Sequence, residues 1–366
     1  MVFPEAMLGK VGRFDPPDLQ IDESPLEEPI KAATSFAPVV KSASPCVVSI
    51  QTVQERSSAA GSMDLDAFRR FFDPEGRFPM PEERDLPAQG TGSGVIVSSD
   101  GFILTNFHVV EGTQSISVVL ADGTTSLDAE IVGADKHSDL AVLKVQRKGL
   151  SAITLGNSDH LEVGDVVLAI GNPYGFGHSV SQGIVSGVGR FGLQLSTYEG
   201  YIQTDATIHL GSSGGALIDH QGRLVGINTL IYTAGTERNG ETPGIGINLA
   251  TPSTLAAAVL DDIVKYGHVI RGWLGVSVEV LLSEQLAEGP VQQLIVTDLA
   301  PGGPAQRAGI KLNDIIVAMD GEPVVDGRAA MLQIAQLRPG HLLRVNLDRE
   351  GVPIELEAVV GTRGNS

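Results

Sequence analysis

The sequence predicts a mainly β protein in which a large all-β unit is followed by a smaller α+β unit. Short apolar segments recur from about residue 37 to residue 250, and turns rich in Gly and Asp separate them. Residues 251–267 then have the spacing and end signals of one helix. Roughly ninety further residues mix strand-like and helical segments, which is a common size for a small module. Many short strands joined by tight turns are typical of a β-barrel or a β-sandwich.

The strands of the large unit are predicted as successive hairpins. The first convincing strand is CVVSIQTV. GSGVIVSSDGFILTNFHVV turns at Asp100-Gly101 and SISVVLADGTTSLDAEIVGA turns at Asp122-Gly123, and Asp-Gly is a preferred dipeptide of tight hairpin turns. The pattern continues through SDLAVLKV, DVVLAIGNP and SVSQGIVSGV, and ALIDHQGRLVGINTL is a further hairpin with its turn at residues 220–222.

The helix that follows is bounded by its own sequence. Thr251 can cap its start, Pro252 suits its first position, and Gly267 ends it after LAAAVLDDIVKY. In the smaller unit the predicted strands are LIVTDL, DIIVAMDG, LLRVNLDREG and IELEAVV, and the predicted helices lie in PAQRAGI and GRAAMLQIAQL.

The composition excludes several classes of function. The 366 residues carry a formal charge of −19, which disfavours nucleic acid and anionic membranes as partners because both would be repelled. The single cysteine, Cys46, excludes an internal disulfide and a Cys-rich zinc site, and its apolar neighbours predict a small buried core residue. The sequence has no metal-ligand cluster and no phosphate-binding loop, so no cofactor is expected.

Two stretches lie outside the strand pattern. Residues 1–36 are acidic, rich in proline and poor in core-forming residues, which predicts a linker. MVFPEAMLGKVGRF is too short and too interrupted for a signal peptide, so we expect either a cytoplasmic protein or a targeting segment upstream. The insertion between Gln54 and Gln89 contains DLDAFRRFF, a predicted short helix, and loops of this length are usually functional or disordered.

The stretch QTDATIHLGSSGGALID contains a candidate nucleophile, although Gly and Ser are also ordinary turn residues. A serine hydroxyl needs a base to take its proton and a third group to orient that base. His108 in TNFHVVEG and Asp139 in KHSDLAVLKV are candidates for these roles. The order His108, Asp139, Ser213 is that of the chymotrypsin-type double β-barrel.

Of the two adjacent serines, Ser213 is the better candidate. Its spacing from the flanking glycines can aim the N–H groups of Gly211 and Ser213 at one point, as an oxyanion hole requires. If Ser212 were the nucleophile, the glycines would be out of step with that geometry.

GSSGG also fits G-x-S-x-G, the nucleophile elbow of α/β-hydrolases. That fold requires a helix directly after the serine and then a downstream acid and histidine, for which His220, His268 and His341 are available. ALIDHQGRLVGINTL alternates like a hairpin instead, which disfavours the elbow.

Five motifs carry a family resemblance: TNFHVVEG, SDLAVLKV, GDVVLAIGNPYGFG, SQGIVSGVGR and QTDATIHLGSSGGALID. Together they resemble the HtrA/Deg family of serine proteases, and RGWLGVSVEV with the residues after it resembles the single PDZ domain of that family. The resemblance implies a trypsin-like protease domain over residues 37–267, a PDZ domain over residues 268–361 and a tail over residues 362–366. DLDAFRRFF, LSTYEGYIQTDA and DGRAAMLQIAQLRPG are more narrowly similar to the AlgW/DegS regulatory type, which makes the first cut in a membrane anti-sigma factor during envelope stress.

The resemblance implies a homotrimeric serine endopeptidase with His108, Asp139 and Ser213 as its triad. Its substrate is then an anti-sigma factor or an unfolded protein, and a small apolar residue suits its specificity pocket. That pocket is expected near two loops, at Ile208, Leu210, Leu230, Ile231 and Tyr232.

The PDZ resemblance implies a second site. PDZ domains bind a C-terminal carboxylate through backbone N–H groups and pair the peptide as an added strand. The implied carboxylate loop is Trp273, Leu274, Gly275 and Val276, and an ordinary first strand with a buried Trp is compatible with it. The implied activating ligands are C-terminal peptides of misfolded outer-membrane proteins, and Arg190 lies in the signal-relay loop of the family.

Two departures from the family pattern leave alternatives open. Ser212 stands where the family usually has Asn, so lowered activity or a catalytically weak PDZ scaffold is one alternative. The membrane anchor of regulatory members is missing, which we interpret as a truncated start of a periplasmic protein that is tethered to the inner membrane when full-length. A general periplasmic quality-control protease or chaperone is the other alternative, although such members usually carry two PDZ domains.

Overall fold

The computed structural model describes residues 14–24, 35–54, 88–173, 177–193, 195–209, 211–232, 247–283, 291–324 and 326–362. The contacts divide the chain into two compact units, of which the first comprises Met1–Val188 and Tyr201–His268 and the second Gly189–Gly200 and Val269–Ser366. Residues 189–200 therefore belong to the second unit, although the predicted protease domain, residues 37–267, includes them. The predicted helix DLDAFRRFF lies outside the described residues.

The first barrel of the larger unit contains six strands. They are β2 (Val47–Gln54), β3 (Ala88–Ile96), β4 (Phe102–Asn106), β5 (Thr113–Val119), β6 (Ser126–Asp135) and β7 (Leu140–Val145), and they close in the order β2-β3-β4-β7-β6-β5. The predicted hairpin turns at Asp100-Gly101 and Asp122-Gly123 are confirmed, since they join β3 to β4 and β5 to β6. Alternate residues fill the interior, which includes Val48, Ile50, Ile103, Val118 and Leu143.

The second barrel follows along the chain. Its strands are β9 (Val166–Gly171), β10 (Ser179–Arg190), β11 (Tyr201–Thr204), β12 (Ala216–Asp219), β13 (Leu224–Tyr232) and β14 (Ile247–Pro252). They run in the order β12-β9-β10-β11-β14, and pairing of β13 with both β12 and β14 closes the ring. The hairpin predicted around residues 220–222 is confirmed, so no helix follows Ser213 and the nucleophile elbow is excluded. The predicted double β-barrel is confirmed.

Part of the predicted N-terminal linker is docked on the second barrel. The short strand β1 (Ile21–Asp22) pairs in parallel with β8 (Leu155–Gly156), and the carbonyl of Gln20 accepts a 2.8 Å hydrogen bond from the N–H of Leu155. The guanidinium of Arg223 donates 2.8 Å to the carbonyl of Ser24 and lies 3.3 Å from a carboxylate oxygen of Asp22. The acidic composition predicted a linker without regular structure. The segment is nevertheless ordered, because the edge of β8 can pair with any backbone and the buried Arg223 binds Asp22.

The helices of the first unit are short except for one. They are α1 (Ala37–Ala43), α2 (Phe107–Val110) and α3 (Ser253–Tyr266), with 3-10 turns at Ser44–Cys46 and Ser158–His160. Gly267 ends α3 in the left-handed conformation as predicted. Pro252 is the N-cap rather than the first helical residue, because Thr251 and Pro252 still belong to β14. Cys46 is buried as predicted, and burial raises the pKa of its thiol to about 11.

The second unit is an α+β module, as predicted. Its strands are β15 (Gly272–Trp273), β16 (Val276–Ser283), β17 (Val291–Leu299), β18 (Ile315–Met319), β19 (Glu322–Pro323), β20 (Leu342–Arg349), β21 (Val352–Val359) and β22 (Gly361–Thr362), and its helices are α4 (Pro304–Ala308) and α5 (Gly327–Gln336). The main sheet has the order β16-β17-β18-β20-β21, so β16 is an edge strand of that sheet. None of the described helices combines the length and the apolar character that crossing a bilayer requires.

Candidate active site

His108 and Asp139 are paired as the sequence predicts. His108 lies in α2, directly after β4, and Asp139 lies in the turn that precedes β7, the neighbour of β4 in the barrel. The Nδ1 atom of His108 is 2.7 Å from Oδ2 of Asp139, and the backbone N–H of His108 donates 2.9 Å to Oδ1. With Nδ1 engaged by the carboxylate, Nε2 is the ring atom available to take a proton.

Asp139 is held on its main chain as well as its side chain. Its φ is +54°, a left-handed conformation that Asp tolerates better than most residues. Its carbonyl accepts hydrogen bonds from the Nδ2 of Asn106 at 3.0 Å and from the N–H of Phe107 at 3.1 Å. The carboxylate is thereby fixed relative to α2, and its side chain is 12% exposed against 37% for the imidazole of His108. Asp139 is thus largely buried, whereas His108 is accessible to solvent, as a base that must reach the substrate requires.

Ser213 is in the turn between β11 and β12, at the start of the second barrel's central hairpin. Its Oγ donates a 3.0 Å hydrogen bond to the carbonyl of Thr229, and within the described residues no hydrogen bond joins it to His108. Gly92 of β3 contacts both sides of the site: a Cβ there would lie 2.6 Å from a methyl of Val109 and 3.4 Å from the carbonyl of Ser213. The helix that carries His108 and the turn that carries Ser213 therefore meet across Gly92.

The Ser213 turn requires glycine at two positions where the backbone is left-handed. Gly211 and Gly214 both have φ of +83°. A Cβ on Gly211 would lie 2.7 Å from Cβ of Pro173, and a Cβ on Gly214 would overlap the carbonyl oxygen of Ser93 and the hydroxyl of Thr105. Only glycine meets both conditions, so the local sequence is dictated by the turn itself.

Two backbone N–H groups of this turn are available to an anion. Among the described residues, neither the N–H of Gly211 nor that of Ser213 donates a hydrogen bond. The N–H of Ser212 is used internally, at 2.9 Å from the carbonyl of His209. Two unused donors on either side of one residue are the pattern of an oxyanion hole.

Ser212, the departure from the family pattern, packs against the second barrel. Its side chain is buried against the end of β9, where a Cβ on Gly171 would lie 2.7 Å from the Cβ of Ser212. It is packed between strands and bears no atom of the candidate site.

The structure locates the five predicted pocket residues only in part. Ile208 is 1% exposed and belongs to the core cluster of the second barrel, where it packs among residues such as Ile202 and Ala250. Leu210 lies outside the described residues. The backbone of Leu230, Ile231 and Tyr232 forms the end of β13, paired with β14.

The predicted carboxylate loop connects β15 to β16 in the second unit. The carbonyls of Leu274 and Gly275 accept hydrogen bonds from the N–H groups of Ala305 at 2.8 Å and Ala300 at 2.9 Å. Within the described part of the chain, the N–H groups of Leu274 and Gly275 donate none. The ring of Trp273 packs over Gly275, Gly303 and Gly361, so it supports the loop rather than extending from it.

Arg190 ends β10 and begins the segment that belongs to the second unit. Its carbonyl accepts a 3.2 Å hydrogen bond from the N–H of Gly200, which closes residues 190–200 into a loop. Glu199, 5% exposed, organises the interior of that loop, because its carboxylate accepts hydrogen bonds from the N–H groups of Gly192, Leu193 and Leu195.

The loop packs on the PDZ-like module. The ring of Tyr198 lies 4.3 Å from the guanidinium carbon of Arg271, which is a cation–π contact. Gly200 faces Leu332 of α5, where an added Cβ would lie 3.0 Å from a leucine methyl.

Sequence reasoning missed Asn106 and Thr229. Asn106 bridges the two halves of the site, since its Nδ2 contacts the carbonyl of Asp139 and, at 3.3 Å, the hydroxyl of Thr229. Both residues are fully buried polar groups. The available signal was position alone: Asn106 stands two residues before His108, and Thr229 is a polar residue within the largely apolar strand β13. Among the described residues, no group of three or more His, Cys, Asp or Glu side chains is placed to hold a metal ion.

Comparison with known proteins agrees with this geometry. Residues 92–227 match the trypsin-like peptidase domain family, and residues 272–360 match the PDZ domain family. The chain is 37% identical over 338 residues to the periplasmic pH-dependent serine endoprotease DegQ of Escherichia coli (strain K12), covering 91% of this chain and 71% of that protein. It is 39% identical over 280 residues to the serine endoprotease DegS of Salmonella typhimurium, covering 75% of this chain and 78% of DegS.

Solved structures give the same relationship. The HtrA-type protease AlgW with a decapeptide is 40% identical, with a TM-score of 0.67, covering 91% of this chain and all of that chain. The same protease with a tripeptide is 39% identical, with a TM-score of 0.69, covering 91% of this chain and 98% of that chain. This chain is therefore a serine endoprotease of the HtrA/Deg family, with one trypsin-like protease domain and one PDZ domain.

Proposed function

We propose that the chain is a peptide-activated regulatory endoprotease, in which His108, Asp139 and Ser213 cut a membrane anti-sigma factor after the PDZ domain has bound the C-terminus of a misfolded outer-membrane protein. The observation that carries the proposal is the loop 190–200. Its two ends continue β10 and β11 of the protease barrel, yet the ring of Tyr198 packs on Arg271 and Gly200 lies against Leu332 of α5, both in the PDZ module. Ligand binding to the PDZ module can therefore act through this loop on β11, the strand that leads to Ser213.

The chemistry of the cut follows from the site. Ser213 Oγ leaves the carbonyl of Thr229, gives its proton to Nε2 of His108 and attacks the scissile carbonyl. Proton transfer by a positioned base contributes about 10²–10⁴-fold in rate. Asp139, bonded to Nδ1 and to the N–H of His108, holds the tautomer and stabilises the imidazolium that forms.

The carbonyl oxygen becomes an anion in the tetrahedral intermediate. The N–H groups of Gly211 and Ser213 receive it, and loss of one such donor costs about 3–4 kcal/mol of barrier. His108 then returns its proton to the leaving amine, which leaves Ser213 acylated, and water attacks this ester with His108 again acting as the base. A small apolar residue would precede the cut bond, in a pocket near Ile208, Leu210 and residues 230–232.

The PDZ site fits a hydrophobic C-terminal peptide. The N–H groups of Leu274 and Gly275, which have no acceptor among the described residues, suit its carboxylate, and the edge strand β16 can pair with the peptide as an added strand. Val278 and Val280 of β16 lie beside the start of α5, where an added Cβ on Gly327 would be 3.6 Å and 3.9 Å from their methyls. An apolar wall beside the binding strand selects apolar side chains. Arg190, at the base of the relay loop, is the proposed sensor of this binding.

The remaining parts of the proposal rest on the family. A homotrimer and a periplasmic location, tethered to the inner membrane, fit the regulatory type, and relatives such as DegQ are named periplasmic. DegQ and DegP-like proteases, at 37–40% identity, favour a second candidate function, which is general quality control of unfolded periplasmic proteins.

The deciding experiment measures cleavage of two reporters, an anti-sigma-derived fragment and an unfolded protein, with and without a peptide that ends in a hydrophobic residue. Cleavage of the fragment that rises with the peptide, and not with the same peptide amidated at its C-terminus, is expected for wild type and absent in Ser213→Ala. Arg190→Ala is expected to lower the rise and leave peptide affinity unchanged. Peptide-independent cleavage of the unfolded protein would favour quality control, and no cleavage at all with peptide still bound would favour the scaffold.

A further inference from the structure

Every polar atom of Ser93, in β3, is hydrogen-bonded to the turn that carries Ser213 or to a residue that neighbours this turn. It is fully buried, in the first barrel. Its hydroxyl donates 2.7 Å to the carbonyl of Gly211, and its backbone N–H donates 2.8 Å to the carbonyl of Ser213. The hydroxyl also accepts a 2.9 Å hydrogen bond from the N–H of Asn172, and the carbonyl of Ser93 accepts one of 2.8 Å from the hydroxyl of Thr105.

These bonds fix the direction of the hydroxyl proton. Because the oxygen of Ser93 accepts from Asn172, its own hydrogen is left to point at Gly211. Asn172 directly follows β9, the strand against which Ser212 packs. The end of β9 therefore orients Ser93, and Ser93 in turn restrains the turn that carries the candidate nucleophile.

The hydroxyl of Ser93 acts on the peptide plane that lies between the two planes bearing the oxyanion donors. A peptide unit is planar, so fixing the carbonyl of one residue also fixes the N–H of the next residue. The hydroxyl holds the Gly211–Ser212 peptide through the carbonyl of Gly211, and the backbone N–H of Ser93 holds the Ser213–Gly214 peptide through the carbonyl of Ser213. The N–H of Ser213 belongs to the Ser212–Ser213 peptide between them, whose carbonyl accepts a 2.9 Å hydrogen bond from the N–H of Gly215. The Ser213 donor therefore has a held plane on each side, and only the Cα of Gly211 separates the Gly211 donor from the first of these planes.

We propose that Ser93 is a positioning residue for the oxyanion hole: its hydroxyl, supplied by the first barrel, holds the Gly211–Ser212 peptide plane of the second and thereby restrains the N–H groups of Gly211 and Ser213 on either side of that plane. Ser93 does not touch the substrate. Its contribution is realised when the carbonyl oxygen becomes charged, since preorganised donors need no reorientation at that moment. This inference rests on Ser213 being the nucleophile.

A matched control exists on the neighbouring strand. Ser49 of β2 is the direct cross-strand partner of Ser93 and is equally buried, but its hydroxyl has no hydrogen-bond partner among the described residues. Ser49→Ala removes the same atom from the same environment without loss of a bond. It is therefore expected to leave stability and cleavage close to wild type.

The experiment compares the full chain carrying Ser93→Ala, Ser49→Ala or neither, with a saturating activating peptide, on a fluorogenic substrate. Deleting a whole oxyanion donor costs about 10²–10³ in kcat, and Ser93→Ala leaves both donors present but poorly aimed. We therefore expect kcat about 10–100-fold lower with KM within about twofold of wild type, while Ser49→Ala stays within about twofold in both.

A peptide aldehyde separates positioning from a merely structural role. Its adduct with Ser213 carries an oxyanion, so its inhibition constant is expected to weaken by about the same factor as kcat falls. Binding of an uncleaved substrate, measured in a Ser213→Ala background, is expected to be unchanged by Ser93→Ala.

Several outcomes would overturn the proposal. These are an unchanged kcat, an unchanged aldehyde affinity beside a lowered kcat, a raised KM, or equal effects of Ser49→Ala and Ser93→Ala. If Ser93→Ala does not fold, as judged by its melting transition, the same ratios are measured on Ser93→Cys, whose thiol is a weak donor of similar shape. An inactive wild-type chain, or an active Ser213→Ala chain, would contradict the proposed nucleophile itself and is separable from a failure of Ser93.

Discussion

Two glycine-containing turns of this protein present backbone N–H groups in a similar way but differ in their surroundings. In both the turn at residues 211–215 and the loop at residues 273–276, several carbonyls accept hydrogen bonds. Each also leaves two N–H groups without a partner among the described residues. Both are thereby suited to an anion. In the proposed function, the anion in the protease unit is the transient oxygen of an intermediate, and the anion in the PDZ unit is the permanent carboxylate of a peptide.

The two turns differ in how closely neighbouring atoms pack against their glycines. A Cβ added to Gly214 would overlap the carbonyl oxygen of Ser93 and the hydroxyl of Thr105. Both atoms belong to paired strands of the first barrel and have little freedom to move. Gly275 is enclosed by the ring of Trp273, at 3.0 Å and 3.1 Å from an added Cβ, and by the methyl of Ala300 at 3.2 Å. A charge that exists only in the transition state gains from rigid donors, whereas a permanent charge tolerates donors that adjust on binding.

The largest expected effect tests whether only one turn performs chemistry. Ser213→Ala is expected to lower kcat by about 10⁶-fold, as removal of a serine nucleophile does, because no other hydroxyl replaces it. The affinity of a fluorescent C-terminal peptide, titrated by anisotropy, is expected to stay unchanged. Residual cleavage within about a hundredfold of wild type would assign the nucleophile elsewhere.

The next effect tests the rigidity of the first turn. Gly214→Ala is expected to lower the free energy of unfolding by about 3 kcal/mol or more, because the added Cβ overlaps oxygen atoms in a left-handed backbone. Gly149→Ala is the control, since its φ is also positive, at +74°, but nothing lies within 4 Å of an added Cβ. It is expected to cost only about 1–2 kcal/mol of backbone strain. If urea unfolding shows equal losses of unfolding free energy for Gly214→Ala and Gly149→Ala, the atoms around Gly214 can move to accommodate a Cβ.

The third prediction is that a loss of stability in the PDZ unit leaves the peptide affinity of the loop at residues 273–276 unchanged. The carboxylate of Asp314 accepts bonds from Arg349 at 2.7 Å and 2.8 Å. Burial pushes the pKa of Asp314 up, but the hydrogen bonds from Arg349 and Lys311 outweigh it and hold the pKa below its usual range. Asp314→Asn is expected to cost about 1–3 kcal/mol and to leave peptide affinity unchanged, because the loop is fixed by Ala300 and Ala305.

The same pair gives a pH dependence with a defined sign. A depressed folded-state pKa means that the stabilisation is present above the unfolded value, about 3.9, and is lost as pH falls through the lower folded value. Thermal melts are expected to show a decline of wild-type PDZ stability below about pH 4 that is smaller in Asp314→Asn. A parallel decline in both proteins would assign the acid sensitivity to other carboxylates.

The smallest expected effect is at the second turn. Gly275→Ala is expected to weaken peptide affinity by about tenfold, which is roughly 1.4 kcal/mol, because the left-handed residue is strained and the Trp273 ring must shift. Gly302→Ala, with φ of +66° and nothing within 4 Å of its added Cβ, is the control and should leave affinity within about twofold. Calorimetric titration measures both, and a loss above a hundredfold would make this loop as rigid as the first.

The sequence by itself determined those features that depend on neighbours along the chain. The hairpin turns at Asp100-Gly101 and Asp122-Gly123, the end of α3 at Gly267 and the helices near PAQRAGI and GRAAMLQIAQL all follow from local turn and capping chemistry, and all are confirmed. His108 and Asp139 could also be chosen as partners from the sequence, because the order His108, Asp139, Ser213 in an all-β chain is that of the double β-barrel. In the structure the two residues are hydrogen-bonded beside the paired strands β4 and β7.

Only the tertiary structure decided the features that join residues far apart in the chain. Ser93 meets Gly211 across 118 positions and Asn106 meets Thr229 across 123, and no periodicity or turn signal encodes such contacts. The same holds for the docking of β1 on β8, the burial of Ile208 in the barrel core and the assignment of residues 189–200 to the PDZ unit. Local propensity determines where a strand begins and turns. Which buried donor meets which acceptor is decided only when the two barrels pack together, because most buried polar groups require a hydrogen-bond partner.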